Sequence, residues 1–134
     1  MRRIIATCLF LAPLLYLSAQ SSLTVEIANL KSNKGVVLVD LLDENEETVM
    51  DLTSEIADNT CTIVFKDLKD GSYAIRYFHD ENNNDELDTN FIGIPKEGFG
   101  FSNDAFGKFG QKKFKEWLFE VSGDTNIRMT TSYL

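Results

Sequence analysis

Leu23-Thr24-Val25-Glu26-Ile27 alternates apolar and polar side chains with the two-residue period of an extended strand, so Leu23, Val25 and Ile27 share one face. Such a strand is half-buried and needs something to cover its apolar face. After a turn of polar composition at Lys31-Ser32-Asn33-Lys34-Gly35, the run Val36-Val37-Leu38-Val39-Asp40-Leu41-Leu42 is almost continuously apolar and β-branched, which predicts a strand covered on both faces. Residues 48–52 predict a short strand, 53–58 suit a helical turn as well, and 60–66 predict a strand again. Lys69-Asp70-Gly71 marks a turn before Ser72-Tyr73-Ala74-Ile75-Arg76-Tyr77-Phe78-His79, where Tyr73, Ile75 and Tyr77 share a face. Two further strands, over 116–121 and 126–133, are joined across Ser122-Gly123-Asp124-Thr125. About seven short strands without a long amphipathic helix predict an all-β fold, a single antiparallel β-sandwich.

Composition agrees with one globular domain. The chain has 134 residues, 43% hydrophobic and 11% aromatic, which is enough to build a core and excludes a disordered or fibrous chain. A formal charge of -8 argues against a nucleic-acid partner, because holding phosphates requires a basic surface. The N-terminus reads as a signal peptide over 1–19: Met1-Arg2-Arg3, an apolar run from Ile4 to Leu17, then Ser18-Ala19-Gln20. That run is shorter than the ~20 residues of a membrane span and contains Pro13, so no stable membrane anchor is expected after cleavage. The expected product is an exported domain of residues 20–134, periplasmic or secreted. Loss of Arg2 and Arg3 takes its charge to -10, and loss of Cys8 leaves only Cys61, so no intrachain disulfide is expected. Within Thr60-Cys61-Thr62-Ile63-Val64-Phe65, Cys61 reads as a small buried hydrophobe with no basic neighbour to activate it.

Residues 80–114 follow neither a strand nor a helix period, and a connection of that length is functional or disordered. Six of the ten phenylalanines (Phe91, Phe99, Phe101, Phe106, Phe109 and Phe114) lie here, which predicts packing rather than disorder; five of the eight glycines suit sharp turns. The connection opens with Asp80-Glu81-Asn82-Asn83-Asn84-Asp85-Glu86-Leu87-Asp88-Thr89-Asn90, an acidic crowd that a hard cation such as Ca2+ would relieve. Asp80, Asn82, Asn84, Glu86 and Asp88 match positions 1, 3, 5, 7 and 9 of a calcium loop, with Leu87 at the apolar eighth. Asp85 replaces the glycine of position 6 and Phe91 the glutamate of position 12, so this is no EF-hand, and Glu97 or Asp104 is the candidate to complete the site. The competing reading is a loop of Asx turns whose asparagines cap their own backbone.

Asp70-Gly71-Ser72-Tyr73-Ala74-Ile75, Phe78-His79-Asp80-Glu81-Asn82-Asn83-Asn84, Leu87-Asp88-Thr89-Asn90 and the stretch from Gly93-Ile94-Pro95 to Ala105 closely resemble the domain of unknown function 2141 family of exported bacterial proteins. The likeness is most specific from Asp70 to Ala105, and the family pattern carries glycine where this chain has Asp85. The resemblance implies a small secreted or periplasmic β-sandwich, transthyretin-like or immunoglobulin-like, and no established activity.

The leading expectation is a non-catalytic binding module that uses Phe91, Glu97, Phe99, Phe101 and Asn103 toward a glycan, peptide or envelope protein partner, with Ca2+ as its one candidate cofactor. Exposed rings would favour binding, and buried rings would make them core. One alternative is a hydrolase using Asp80 or Asp88 with Glu97 as acid and base, and another is a structural envelope component. No catalytic residue is assigned. His79 is the only histidine and reads as structural, because Asp80 beside it on a strand points to the opposite face, and neither a nucleophile elbow nor a zinc motif is present.

Overall fold

The computed structural model describes residues 20–134, so the expected signal peptide lies outside the described residues. Among the described residues ten strands form: β1 (Ser21–Ala28), β2 (Val36–Asp43), β3 (Thr48–Ser54), β4 (Cys61–Leu68), β5 (Gly71–Asp80), β6 (Phe99–Phe101), β7 (Phe106–Gly107), β8 (Gly110–Gln111), β9 (Phe119–Val121) and β10 (Thr125–Thr130). One sheet has the order β10-β1-β4. The other runs β3-β2-β5-β6, with β9 also paired to β5, and β7 and β8 make a small hairpin. Among the described residues no helix is long and apolar enough to cross a membrane.

The two larger sheets close on one core. Leu23, Val25 and Ile27 from β1, Ile63 and Phe65 from β4 and Met129 from β10 meet Val37, Val39 and Leu41 from β2 and Ile75 and Tyr77 from β5. These are the alternate positions that the period of two selects, and each is buried. Cys61 is buried there too, and loss of solvent pushes its thiol up, which keeps it protonated.

The all-β sandwich expected from the sequence is what forms, with four local differences. β1 pairs with β10 in parallel, Leu23 opposite Thr125 and Ile27 opposite Met129, because the chain crosses from the second sheet through β9 before joining the first. Extended structure over 116–121 starts only at Phe119; a 3-10 turn over Phe114–Glu116 instead rotates Trp117 inward, and burial of the indole overrides the strand pattern. Residues 53–58 make no helical turn: Ala57 bridges Thr60 across Asp58 and Asn59, which take φ of 52 and 58°, a left-handed turn that short polar side chains tolerate. The last expected strand stops at Thr130, after which Thr131 bonds Ala28 and Ser132 bonds Phe99.

The second face of β2 is covered only in part. Leu42 is buried, whereas Leu38 is half-buried. The cover comes from the 81–118 connection, which adds β6 to the five-stranded sheet and packs Ala105 and Trp117 on the outer-face residues Leu42 and Ala74. Its glycines do two jobs: Gly93 and Gly110 take positive φ in turns, whereas a Cβ on Gly100 would collide with the Tyr77 ring, so glycine there lets β6 lie flush on β5.

Candidate functional site

The outer face of the five-stranded sheet presents four cross-strand pairs in a row, Leu42 with Ala74, Asp40 with Arg76, Leu38 with Phe78, and Val36 with Asp80. The first pair lies under a lid. Trp117 and Ala105 pack on Leu42 and Ala74, and the indole sits against Phe101 and Phe114 at centroid distances of 4.4 and 5.3 Å. Ser102, fully buried, ties lid to sheet: its Oγ donates to the Trp117 carbonyl at 2.5 Å and accepts the Ile75 N–H at 2.9 Å. Asn103, in the left-handed region at φ 59°, donates through Nδ2 to the carbonyls of Glu116 and Leu118 at 3.1 and 2.9 Å.

The last pair lies under the acidic loop. Asp80 is buried, and its two carboxylate oxygens accept the N–H groups of Asn84 and Asp85 at 3.2 and 2.9 Å. Glu97 is also buried; Oε1 accepts the Glu81 N–H and Oε2 the Asp88 N–H, both at 3.0 Å. Two carboxylates out of water are thereby held by backbone donors that would otherwise be orphaned, the condition under which such burial is tolerated. Asp88 accepts Nδ2 of Asn82 at 2.6 Å and of Asn84 at 2.9 Å. Asn84 and Asn90 cap the backbone two residues on, as Asx turns do. Asp85 adopts φ 61°, so an L-residue occupies a left-handed position that favours glycine. Among the described residues no group of three or more His, Cys, Asp or Glu side chains is gathered as metal ligands are.

Between lid and loop the face stays open as a groove of about 710 Å3. Leu38, Phe78, Phe101 and Phe106 give it apolar walls, and on its floor Arg76 Nε donates to Asp40 Oδ2 at 3.0 Å. Asp85 and Gln111 also line it. Of the exposed large hydrophobics among the described residues, Leu87 and Leu134 line this groove and extend its apolar surface.

The residues singled out from the sequence are divided by this geometry. Phe99 is buried and Phe101 half-buried, both on the groove wall; Phe91 is fully exposed at the tip of the acidic loop. Glu97 and Asn103 face backbone donors and acceptors and fasten the cover. Asp80 and Glu97 thus each hold two N–H groups, and Asp88 holds two amides, leaving the proposed acid–base carboxylates engaged. His79 is fully buried: Nε2 lies 2.6 Å from the Lys34 carbonyl and Nδ1 3.0 Å from Tyr133 Oη, which accepts the Lys31 N–H at 2.7 Å. Burial raises the Tyr133 phenol, an effect that this N–H partly offsets.

Sequence reasoning passed over the floor. Leu38, Asp40, Arg76 and Phe78 lay inside segments read for their buried faces, yet the same period of two sends Asp40 and Arg76 outward together. A charged pair on the face expected to be covered was the available signal.

A family model described as "Uncharacterized protein conserved in bacteria (DUF2141)" matches residues 25–129. No curated protein and no solved structure matches the chain.

Proposed function

We propose a function on one premise: the chain belongs to the DUF2141 family, described as uncharacterized and conserved in bacteria, so its own groove must supply the reading. That reading is an exported, non-catalytic binding module that holds a glycan segment across the outer face of the five-stranded sheet. The N-terminal pattern supports export, and the groove supports binding. The observation that carries it is the Arg76–Asp40 pair set among Leu38, Phe78, Phe101 and Phe106. A sugar ring has an apolar C–H face for the aromatic walls and an edge of hydroxyls, for which a guanidinium, a carboxylate and the Gln111 amide supply donors and acceptors.

Trp117 provides the readout. It is the only tryptophan and packs on Phe101, whose ring lines the groove, so occupancy is expected to change its emission. Titration with a panel of bacterial oligosaccharides should give saturable quenching or enhancement that Arg76→Ala abolishes. Saturation by extended peptides alone would move the reading to a peptide-binding module, and silence toward both sets would end it.

A calcium-completed loop is the second reading, carried by the spacing of Asp80, Asn82, Asn84, Glu86 and Asp88. An ion would compete with the amides that Asp80 and Asp88 already accept. If it binds only the folded chain, millimolar calcium should lift the melting midpoint by several degrees over chelator. Equal midpoints would leave the amides alone as what closes the loop.

A further inference from the structure

The β7–β8 hairpin stands apart from the rest of this acidic chain. Phe106 pairs with Gln111 and Gly107 with Gly110, which leaves Lys108 and Phe109 as the two turn residues. Phe109 is 100% exposed, although Phe106 at the base of the same hairpin packs edge-on against Phe99 at 4.8 Å. The hairpin is anchored: Lys112 N donates to the Ala105 carbonyl at 3.0 Å, and Trp117 Nε1 donates to the Lys112 carbonyl at 3.1 Å. A firm base thus holds a large apolar ring fully in water.

Charge gives the second observation. Lys108, Lys112, Lys113 and Lys115 all lie within the ten residues 106–115, which include no acidic side chain, in a sequence of net charge -8. All four are exposed, and none takes part in the three ion pairs found among the described residues. Of the flanking acids, Asp104 accepts the Thr130 N–H, and Glu116 accepts the backbone N–H of Lys113 beside the patch, where four lysines outnumber it. Screening over about 8 Å at physiological salt limits how far the remaining acidic surface opposes this tip.

We propose that this hairpin docks the domain on an anionic lipid bilayer, with Phe109 entering the boundary between headgroups and acyl chains and the four lysines meeting lipid phosphates. An aromatic ring beside clustered lysines is the composition that binds such interfaces, the ring by burial and the lysines by attraction to the surface potential. Among the described residues the other fully exposed phenylalanine is the internal control. Phe91 sits in the loop that carries Asp85, Glu86 and Asp88, which an anionic surface repels.

Co-sedimentation with vesicles tests this, using the chain from residue 20, which contains every strand and both apolar clusters. Binding is expected to vesicles of phosphatidylglycerol mixed with phosphatidylcholine, to fall with added salt, and to be absent with phosphatidylcholine alone. Phe109→Ser should weaken it about tenfold, and Lys112→Glu with Lys113→Glu about thirtyfold, while Phe91→Ser leaves it unchanged. Unaltered thermal melts of these surface variants would exclude misfolding as the cause. The proposal is overturned if the parent chain stays in the supernatant with anionic vesicles at low salt. It is equally overturned if Phe109→Ser binds as tightly as the parent, since a contact of charge alone would serve any soluble polyanion.

Discussion

The two faces of the five-stranded sheet are built from the same strands and held by different forces. On the inner face Val37, Val39, Leu41, Ile75 and Tyr77 are buried against β1, β4 and β10, and the adhesive is apolar area. On the outer face apolar area is confined to the small cluster around Trp117, and the rest of the cover is fastened at points: Glu97 and Asp80 at one end, Ser102 and Asn103 at the other, each holding backbone groups. Area holds everywhere at once and leaves no gap, whereas point fastening can stop short of the middle. The groove over Arg76 and Asp40 is what remains between the two sets of fastenings.

The sharpest way to break this comparison is to weaken each face in turn. Leu41→Ala on the inner face should cost about 3 kcal/mol, lost transfer energy plus the cavity left behind. A fall in urea midpoint with unchanged slope would show it, and because total stability for such a domain is about 5–15 kcal/mol, the loss is a large part of the whole. Glu97→Ala on the outer face removes the acceptor of two N–H groups, an effect of about 1–3 kcal/mol per buried group unless water reaches them. Water can enter here, since Glu81 and Asp88, whose N–H groups are freed, are only half-buried. The expected result is therefore local: hydrogen exchange accelerates over 81–96 while strand amides of β1 and β2 keep their protection. If Glu97→Ala lowers the global midpoint as far as Leu41→Ala, the cover is part of the cooperative core and the distinction fails.

That contrast also explains what the sequence disclosed. The inner face was legible because burial on a strand repeats every second residue, and Leu23-Thr24-Val25-Glu26-Ile27 shows this with no help from context. The cover was legible only as a total: six phenylalanines over 91–114 implied packing but not which rings would turn in. Phe99 is buried and Phe91 fully exposed, a difference set by the pairing of Phe99 with Phe78 and by the loop closure at Asn90, neither of which a period encodes. Glu97 was singled out for its charge, as a ligand or an acid, and its place is that of a buried acceptor for amides nine and sixteen residues back. The parallel pairing of β10 with β1 depends on a crossover whose partners are about a hundred residues apart, beyond the reach of local pattern.

Alkaline pH probes the seam between the faces. Tyr77 lies on the inner face with its ring against Gly100 of the cover, and Thr131 Oγ1 already donates to the Ala28 carbonyl, so the phenol is the donor toward Thr131 at 3.2 Å. Burial pushes the Tyr77 phenol well above its usual value. A folded value above the unfolded one means that the folded state retains the proton longer, so this contribution is complete below about pH 10 and is lost as pH rises beyond it. Melting midpoints should hold steady to about pH 9 and then decline. Tyr77→Phe should lose about 1 kcal/mol at neutral pH with the hydrogen bond and show a shallower alkaline decline. An equally steep decline in that variant would place the ionisation elsewhere, at Tyr73, Tyr133 or the Cys61 thiol, which burial also raises.

The finest distinction concerns one residue of the cover. Asp85 is held at φ 61°, and the hydrogen bond it contributes to the loop is from its backbone N–H to Asp80, which any residue but proline would make. An L-residue in this conformation costs about 1–2 kcal/mol, less for aspartate, while glycine adopts it freely but loses more entropy on ordering. Asp85→Gly also removes one charge from a crowd of carboxylates. The two gains slightly exceed the entropy lost, so a stabilisation of about 0.5 kcal/mol is expected, read most sensitively as slower exchange of the Asn84 and Asp85 amides. Asp85→Ala removes the same charge but keeps a Cβ at positive φ without the polar side chain that eases it, and should shift exchange the other way. Opposite signs for the two variants would assign the effect to backbone conformation; equal signs would assign it to charge, and the loop would then be closed by relief of repulsion more than by its fastened amides.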